Sequence, residues 1–241
     1  QKEKEFVKTR SFENAQTVYT PAVHPREPYI SQRELFVSPF YSREKELGGY
    51  FDNEVAGWER AFAYESNRKK LENYLQEIPV RENEWDGRHV PYEIANAEHL
   101  AMSESAGMIN LSHFAIMDIK GSDAERMLEY LSVAKIGGKT SEGRIIYTNF
   151  LDEDGGVHAD LTIARLGQDH YRVVTGGADG NRDWVHLRNY RDDLGLDAEI
   201  SIRTHDISTL GLWGPKAKDA LGHFIDPSEI NIENFPFVTA K

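Results

Sequence analysis

The sequence predicts an α+β fold, a ferredoxin-like split βαβ unit with one extra strand, preceded by an extended linker segment. Three observations carry that expectation. The elements of the second half follow the order strand, helix, hairpin, helix, strand. Ala124, Met127, Leu128 and Leu131 fall at i, i+3, i+4 and i+7, the spacing of a single helix face. Residues 157–166 alternate apolar and polar side chains, the period of a strand whose two faces meet different surroundings.

Taken in order, residues 1–42 contain Tyr19, Pro21, Pro25, Pro28, Tyr29, Phe36, Pro39 and Phe40 with weak periodicity. They read as an extended segment packed against something else, followed by a domain over residues 43–241. Helical spacing recurs at Glu44–Leu47 and Asn67–Leu75, with the aromatic cluster Phe51, Trp58, Phe62 and Tyr64 between them. Residues 76–90 are rich in charges and turn formers and read as a connecting loop. A helix is expected over Glu93–Ala106 and a strand over Asn110–Lys120. Ser122-Asp-Ala-Glu125 then has the spacing of a capping box ahead of the amphipathic helix. Arg144–Leu151 and Val157–Leu166 read as strands joined through Asp152-Glu-Asp-Gly-Gly156, whose composition suits a hairpin connection. His170–Thr175 is the next strand. Asn181–Leu194 is a helix carrying Trp184, Leu187 and Tyr190, and strands follow at Glu199–Thr204 and Leu210–Trp213. Gly214-Pro215 opens a final helix reaching Phe224, since proline suits a first helical turn.

Composition excludes several classes. Of 241 residues, 39% are hydrophobic and 28% charged, the balance of a folded globular chain. A formal net charge of -12 argues against non-specific nucleic-acid binding, which needs an excess of Lys and Arg. No cysteine is present, so disulfides, thiolate nucleophiles and Cys-ligated zinc drop out. That absence fits a reducing compartment, the cytoplasm or, in a eukaryote, the mitochondrial matrix. No apolar run reaches the roughly 18 residues that span a bilayer, and no membrane or nucleic-acid partner is expected. The nine histidines form no H-E-x-x-H pattern, so no metal site is expected. The ends of the chain read as those of a fragment.

The chemistry-bearing stretch is Tyr147 to Arg165. Alternation places Val157, Ala159, Leu161 and Ile163 on one face of a strand and His158, Asp160 and Thr162 on the other. Asp160 is thus a mid-strand carboxylate beside a hydroxyl and an imidazole. Alternation alone leaves open the plain outer face of an antiparallel sheet. Gly176-Gly-Ala-Asp-Gly180, between a strand and a helix, lacks a P-loop lysine and reads as a turn more than as a phosphate cradle. Ser112 and His113, as neighbours on a strand, would point to opposite faces and so make a poor nucleophile–base pair.

Four motifs in sequence resemble the glycine-cleavage T-protein family. Gly107-Met-Ile-Asn-Leu-Ser112-His113-Phe114 is similar to a family strand ending in Ser-His. Gly143-Arg-Ile-Ile-Tyr147 through Gly155-Gly156-Val-His-Ala-Asp160 resembles the segment running from a tyrosine through a Gly-Gly turn to an aspartate. Val173-Val174-Thr175 and Leu212-Trp213-Gly214-Pro215-Lys216-Ala217 resemble later family motifs. In the N-terminal part, His24-Pro25, Ser38-Pro39-Phe40, Gly57-Trp58-Glu59-Arg60 and Tyr64-Glu65-Ser66-Asn67 resemble the dimethylglycine and sarcosine dehydrogenase group.

The resemblance implies the T-protein folate-binding fold and one-carbon transfer to tetrahydrofolate, coupled to flavin-dependent demethylation of an N-methyl amine. It implies Asp160 as the catalytic carboxylate and Tyr147, Thr175 and Phe114 as folate-binding residues. It also implies an FAD domain ahead of residue 1, residues 1–42 as the central linker behind it, and a further C-terminal part of the folate domain. Two other readings stand beside it. One is a binding or regulatory module that keeps the fold without the chemistry, and the other is an aminomethyltransferase served by a lipoyl carrier protein. The chain departs from the family pattern at Ala61 and Ala63, where a proline and an aromatic are usual, and at Asn110, where an aspartate is usual.

Overall fold

Two packing problems shape this chain, and each is solved within its own compact unit. The computed structural model describes residues 2–19, 31–51, 54, 56–78, 92–138 and 141–241. One unit comprises Gln1–Asn110 with Leu210–Ala220, and the other Leu111–Thr209 with Leu221–Lys241. The loop expected over 76–90 lies mostly outside the described residues. Among the described residues, no helix is long and apolar enough to cross a membrane.

The first unit begins with a helix, α1, over Lys2–Tyr19. This corrects the extended reading of the first residues. The prolines that suggested it all lie from Pro21 onward, and the stretch before them is rich in Lys, Glu, Arg and Gln, which favour helix. Arg10 fastens α1 to the chain that follows, donating to the carbonyls of Ser31 and Gln32 at 3.0 and 3.3 Å and pairing with Glu54 at 2.8 Å. Short helices follow at Tyr41–Glu46 (α2) and Glu72–Leu75 (α3), with a 3-10 turn at Glu65–Asn67. The longer helix α4 spans Tyr92–Glu104 and buries Ile94 and Ala97. Strand β1, Gly107–Asn110, pairs antiparallel with β7, Leu210–Trp213. A short helix, α7, runs over Ala217–Leu221.

The second unit holds a five-stranded sheet, β3-β4-β5-β2-β6, in which every neighbouring pair is antiparallel. Its strands are β2 (Ala115–Lys120), β3 (Ile145–Leu151), β4 (Val157–Gly167), β5 (His170–Thr175) and β6 (Glu199–Ile202). Helices α5 (Ala124–Leu131) and α6 (Gly180–Leu194) contribute Met127, Leu128, Leu131 and Leu187 to one core with Ile119, Phe150, Leu161 and Val173 of the strands. This is the split βαβ arrangement with β3 as the extra strand. The open edge of β3 is met from far along the chain. Ile145 N donates to the Val238 carbonyl at 2.8 Å, Ala240 N to Gly143 at 2.6 Å, and Arg144 bridges Thr239.

Three local expectations are corrected. The strand foreseen over Asn110–Lys120 is two strands in different sheets. A turn at 111–114 separates them, closed by Phe114 N on the Leu111 carbonyl, and Ser112 Oγ is drawn into it by accepting from Thr209 N at 3.1 Å. Ser112 and His113 therefore lie in a turn rather than on a strand. The capping box does not form. Ser122 Oγ donates to Asp197 Oδ2 at 2.8 Å and Glu125 accepts from the Tyr171 phenol at 2.8 Å, so tertiary partners outcompete the local cap.

Finally, His158 does not share a face with Asp160. Phe150 pairs with Ala159 but Leu151 with Val157, which leaves His158 as the extra residue of a β-bulge. Its ring turns toward α6, stacking on His186 with centroids 3.9 Å apart and planes 12° apart. Val157, displaced by the same bulge, is exposed rather than part of the apolar face.

Two predictions follow from these contacts. Gly121, at φ +143°, joins β2 to α5, and a Cβ there would stand 2.2 Å from the Asp197 carbonyl oxygen. Gly121→Ala is expected to cost about 2 kcal/mol or more, read as a lower urea midpoint. Burial pushes the His186 imidazole below its ordinary 6.5, and the neighbouring His158 adds to the effect. The unfolded chain then binds a proton there before the fold does, so stability falls as pH drops below about 6.5. Urea titrations between pH 7.5 and 5.5, taken as about the span of that titration, should show this slope, and His186→Gln should flatten it.

Candidate functional site

Strand β4 carries Asp160 across the middle of the sheet, on the face opposite the helices. Its partners in the ladder are Asn149 on β3 and, one residue on, Leu161 with Thr175 on β5. Because Leu161 points into the core, Asp160 points out, and it is exposed. Tyr147 stands on the same face of β3, directly opposite Thr162, with its ring 67% exposed. The Tyr147 phenol donates to Asp160 Oδ2 at 3.3 Å. Diagonal neighbours on adjacent antiparallel strands come within reach of long side chains in this way. The pair thus combines a flat, amphipathic ring with a carboxylate oxygen that keeps acceptor capacity toward solvent.

The other expected site residues lie elsewhere. Thr175 is on the helix-covered face, 3% exposed, with its hydroxyl donating to the Asp183 carboxylate at 2.6 Å. Its neighbours are Leu161 and Ala115 in the ladder, not Asp160. Phe114 closes the turn before β2, its ring stacked on His113 at 5.1 Å. Ala115 pairs with Thr175 and Thr175 with Leu161, so Phe114 stands at the same end of the sheet as Asp160, two strands away. The Gly176–Gly180 stretch is a close-packed turn. A Cβ at Gly177 would meet the His113 carbonyl oxygen at 1.9 Å, so the backbone there is occupied by protein.

Sequence reasoning missed an ion-pair cluster on the same open face as Asp160. Asp118 on β2 faces Arg172 on β5, which grips it through two bonds of 2.7 and 3.0 Å. His170 Nε2 lies 3.5 Å and Arg203 Nη1 3.8 Å from the same carboxylate. Burial pushes the Asp118 carboxyl up, but the Arg172 fork and His170 outweigh it and hold the group below the usual range. The signal was present: Asp118 interrupts an apolar strand, and a carboxylate so placed requires a partner on a neighbouring strand.

In the first unit, the departure at Asn110 has a physical reason. Its amide donates to Ser38 Oγ at 2.7 Å and to Glu44 Oε2 at 3.1 Å, while Tyr64 donates to Glu44 Oε1 at 2.7 Å. Glu44 is 6% exposed, and an aspartate at 110 would set a second negative charge against it with no donor to offer. Burial, then the Glu44 carboxylate, pushes the Tyr64 phenol well above its ordinary range, so it remains a donor at neutral pH. Glu59 of the Gly-Trp-Glu-Arg motif is likewise buried, accepting from Arg33 Nε at 2.9 Å and from Glu34 N at 2.7 Å. Ala63 is fully buried, which gives the small residue there a packing role.

Comparison with known proteins shows which family the chain resembles. An aminomethyltransferase of Herpetosiphon aurantiacus is 31% identical over 157 residues, covering 64% of this chain and 43% of that protein. The chain therefore spans less than half the length of this curated relative. The crystal structure of the glycine cleavage system aminomethyltransferase T from Bartonella henselae superposes with a TM-score of 0.58. That match is 21% identical and covers 78% of this chain and 43% of the other, a likeness of fold. The model of the GCVT N-terminal domain matches residues 40–241. Over most of its length, then, the chain belongs to the GCVT N-terminal domain family.

Proposed function

We propose that this chain is part of a folate-dependent one-carbon transferase in which Asp160 supplies the electrostatic contribution. The observation that carries this reading is the Tyr147–Asp160 pair on the face of the sheet opposite the helices, where both side chains are exposed. Membership of the GCVT N-terminal domain family supports the choice of folate. The residues present fit a reduced folate, because an exposed phenol ring offers a wall for an aromatic heterocycle and a carboxylate beside it can accept from an amine.

When bound, tetrahydrofolate supplies the amine nitrogen that takes up the one-carbon unit. Asp160 would accept a hydrogen bond from that amine, orient it and offset positive charge at the nitrogen. The Tyr147 phenol, donating to one carboxylate oxygen, restricts the rotation of Asp160 and leaves the other oxygen for the ligand.

For the donor, the motifs between His24 and Asn67 support flavin-dependent demethylation of dimethylglycine or sarcosine. Residues 1–42 would then be a linker behind an FAD domain and residues 43–241 the first part of the folate domain. The aminomethyltransferase name of the Herpetosiphon relative favours a second reading, transfer from an aminomethylated lipoyl protein. Turnover of the full-length protein with each donor in turn distinguishes the two.

Asp160→Asn keeps the shape and removes the charge. It is expected to lower tetrahydrofolate-dependent kcat about 100-fold while changing the unfolding free energy by about 0.5 kcal/mol or less. Wild-type turnover in this variant would remove Asp160 from the mechanism. Tyr147→Ala should weaken binding of 5-formyltetrahydrofolate about three- to tenfold by calorimetry, and an unchanged Kd would exclude ring packing on Tyr147.

A further inference from the structure

Among the buried charged groups that the mechanism does not use, one has no exposure at all. Asp183, in the first turn of α6, is 0% exposed. A buried carboxylate is tolerated only when its oxygens are occupied, so its partners show what it is there to hold. Thr175 donates to Oδ2 at 2.6 Å, Arg182 Nε to Oδ1 at 3.3 Å, and His158 Nε2 lies 3.5 Å from Oδ1. Arg182 also reaches past it to donate to the His158 carbonyl at 2.9 Å. The start of α6 therefore grips β4 at His158 and β5 at Thr175.

Those two anchor points bracket Asp160. His158 stands two residues before it, and Thr175 is the ladder partner of Leu161, one residue after it. His158 is also the bulged residue, the place where β4 has a choice of register. A slip of one residue at such a point exchanges the two faces of a strand, which would turn Asp160 toward the helices. Bulges beside functional groups re-aim side chains, but only when something holds them. Here the holding group is a fully desolvated carboxylate on a rigid helix.

We infer that Asp183 is a positioning residue for Asp160, fixing through His158 and Thr175 the stretch of β4 from which that carboxylate projects. The inference rests on the reading that Asp160 contacts folate.

The test is a double-mutant cycle on the full-length protein, with the Kd of 5-formyltetrahydrofolate read by calorimetry well below the melting temperature of each variant. Asp183→Asn is expected to weaken binding about tenfold, and to weaken it no further in an Asp160→Asn background. Arg182→Gln tests the same linkage from a side chain that is itself 51% exposed, leaving the Asp183 carboxylate in place. It should give a smaller loss that is likewise absent when Asp160 is replaced. Hydrogen exchange at the amides of residues 158–161 should quicken in both single variants. Equal losses with and without Asp160, or a lowered melting temperature with unchanged Kd in both single variants, would reduce Asp183 to a structural residue and overturn the inference while leaving the functional reading intact. An Asp160→Asn protein that binds as tightly as wild type would instead bring down that reading, and this inference with it.

Discussion

The second unit depends on the burial of the Asp183 carboxylate. Asp183 has no exposure to water, yet the Thr175 hydroxyl, the Arg182 guanidinium and the amino end of α6 set donating or positive groups against it. Moving a carboxylate into such a place costs several kcal/mol before any pairing is counted. The arrangement persists because the same contacts dock a helix, hold a bulge and tie two strands together. Removing one partner would leave the others facing an uncompensated group, so α6, β4 and β5 stand or fall as one. The hydrophobic core of Met127, Leu128, Leu161 and Leu187 supplies the bulk of the stability. The carboxylate decides how the pieces are registered.

Much of this fold could be read from spacing. The α5 face, the β3–β4 hairpin and the order of the later strands all follow from local periodicity, which packing then reinforced. What stayed hidden depends on contacts distant in sequence. Ser122 and Glu125 have the pattern of a local cap, but Asp197 and Tyr171 claim their side chains. His158 sits at an even alternation, but the bulge that turns it is set by the pairing of Leu151 with Val157. The α1 helix ends before the first proline, and its Lys- and Glu-rich composition, not the prolines beyond Tyr19, sets its conformation.

The site was legible to a similar degree. Asp160 and Tyr147 lie on one face because strands alternate and the hairpin fixes their register, both of which are sequence-local. Thr175 was drawn in by resemblance, and its strand parity puts it on the covered face. The Asp118–Arg172 pair required knowing that β2 and β5 are neighbours, a topological fact that no local window contains. Asn110 similarly has no meaning until Glu44 is known to lie against it.

The strand that carries Tyr147 has one further dependence. Its outer edge is met by Val238, Thr239 and Ala240, some way further along the sequence. An uncovered edge invites pairing with other chains. During synthesis from the amino end, β3 emerges long before the segment that shields it, and contacts so distant in sequence form slowly. The Tyr147 strand is thus open to misassociation until residues 238–240 have been made.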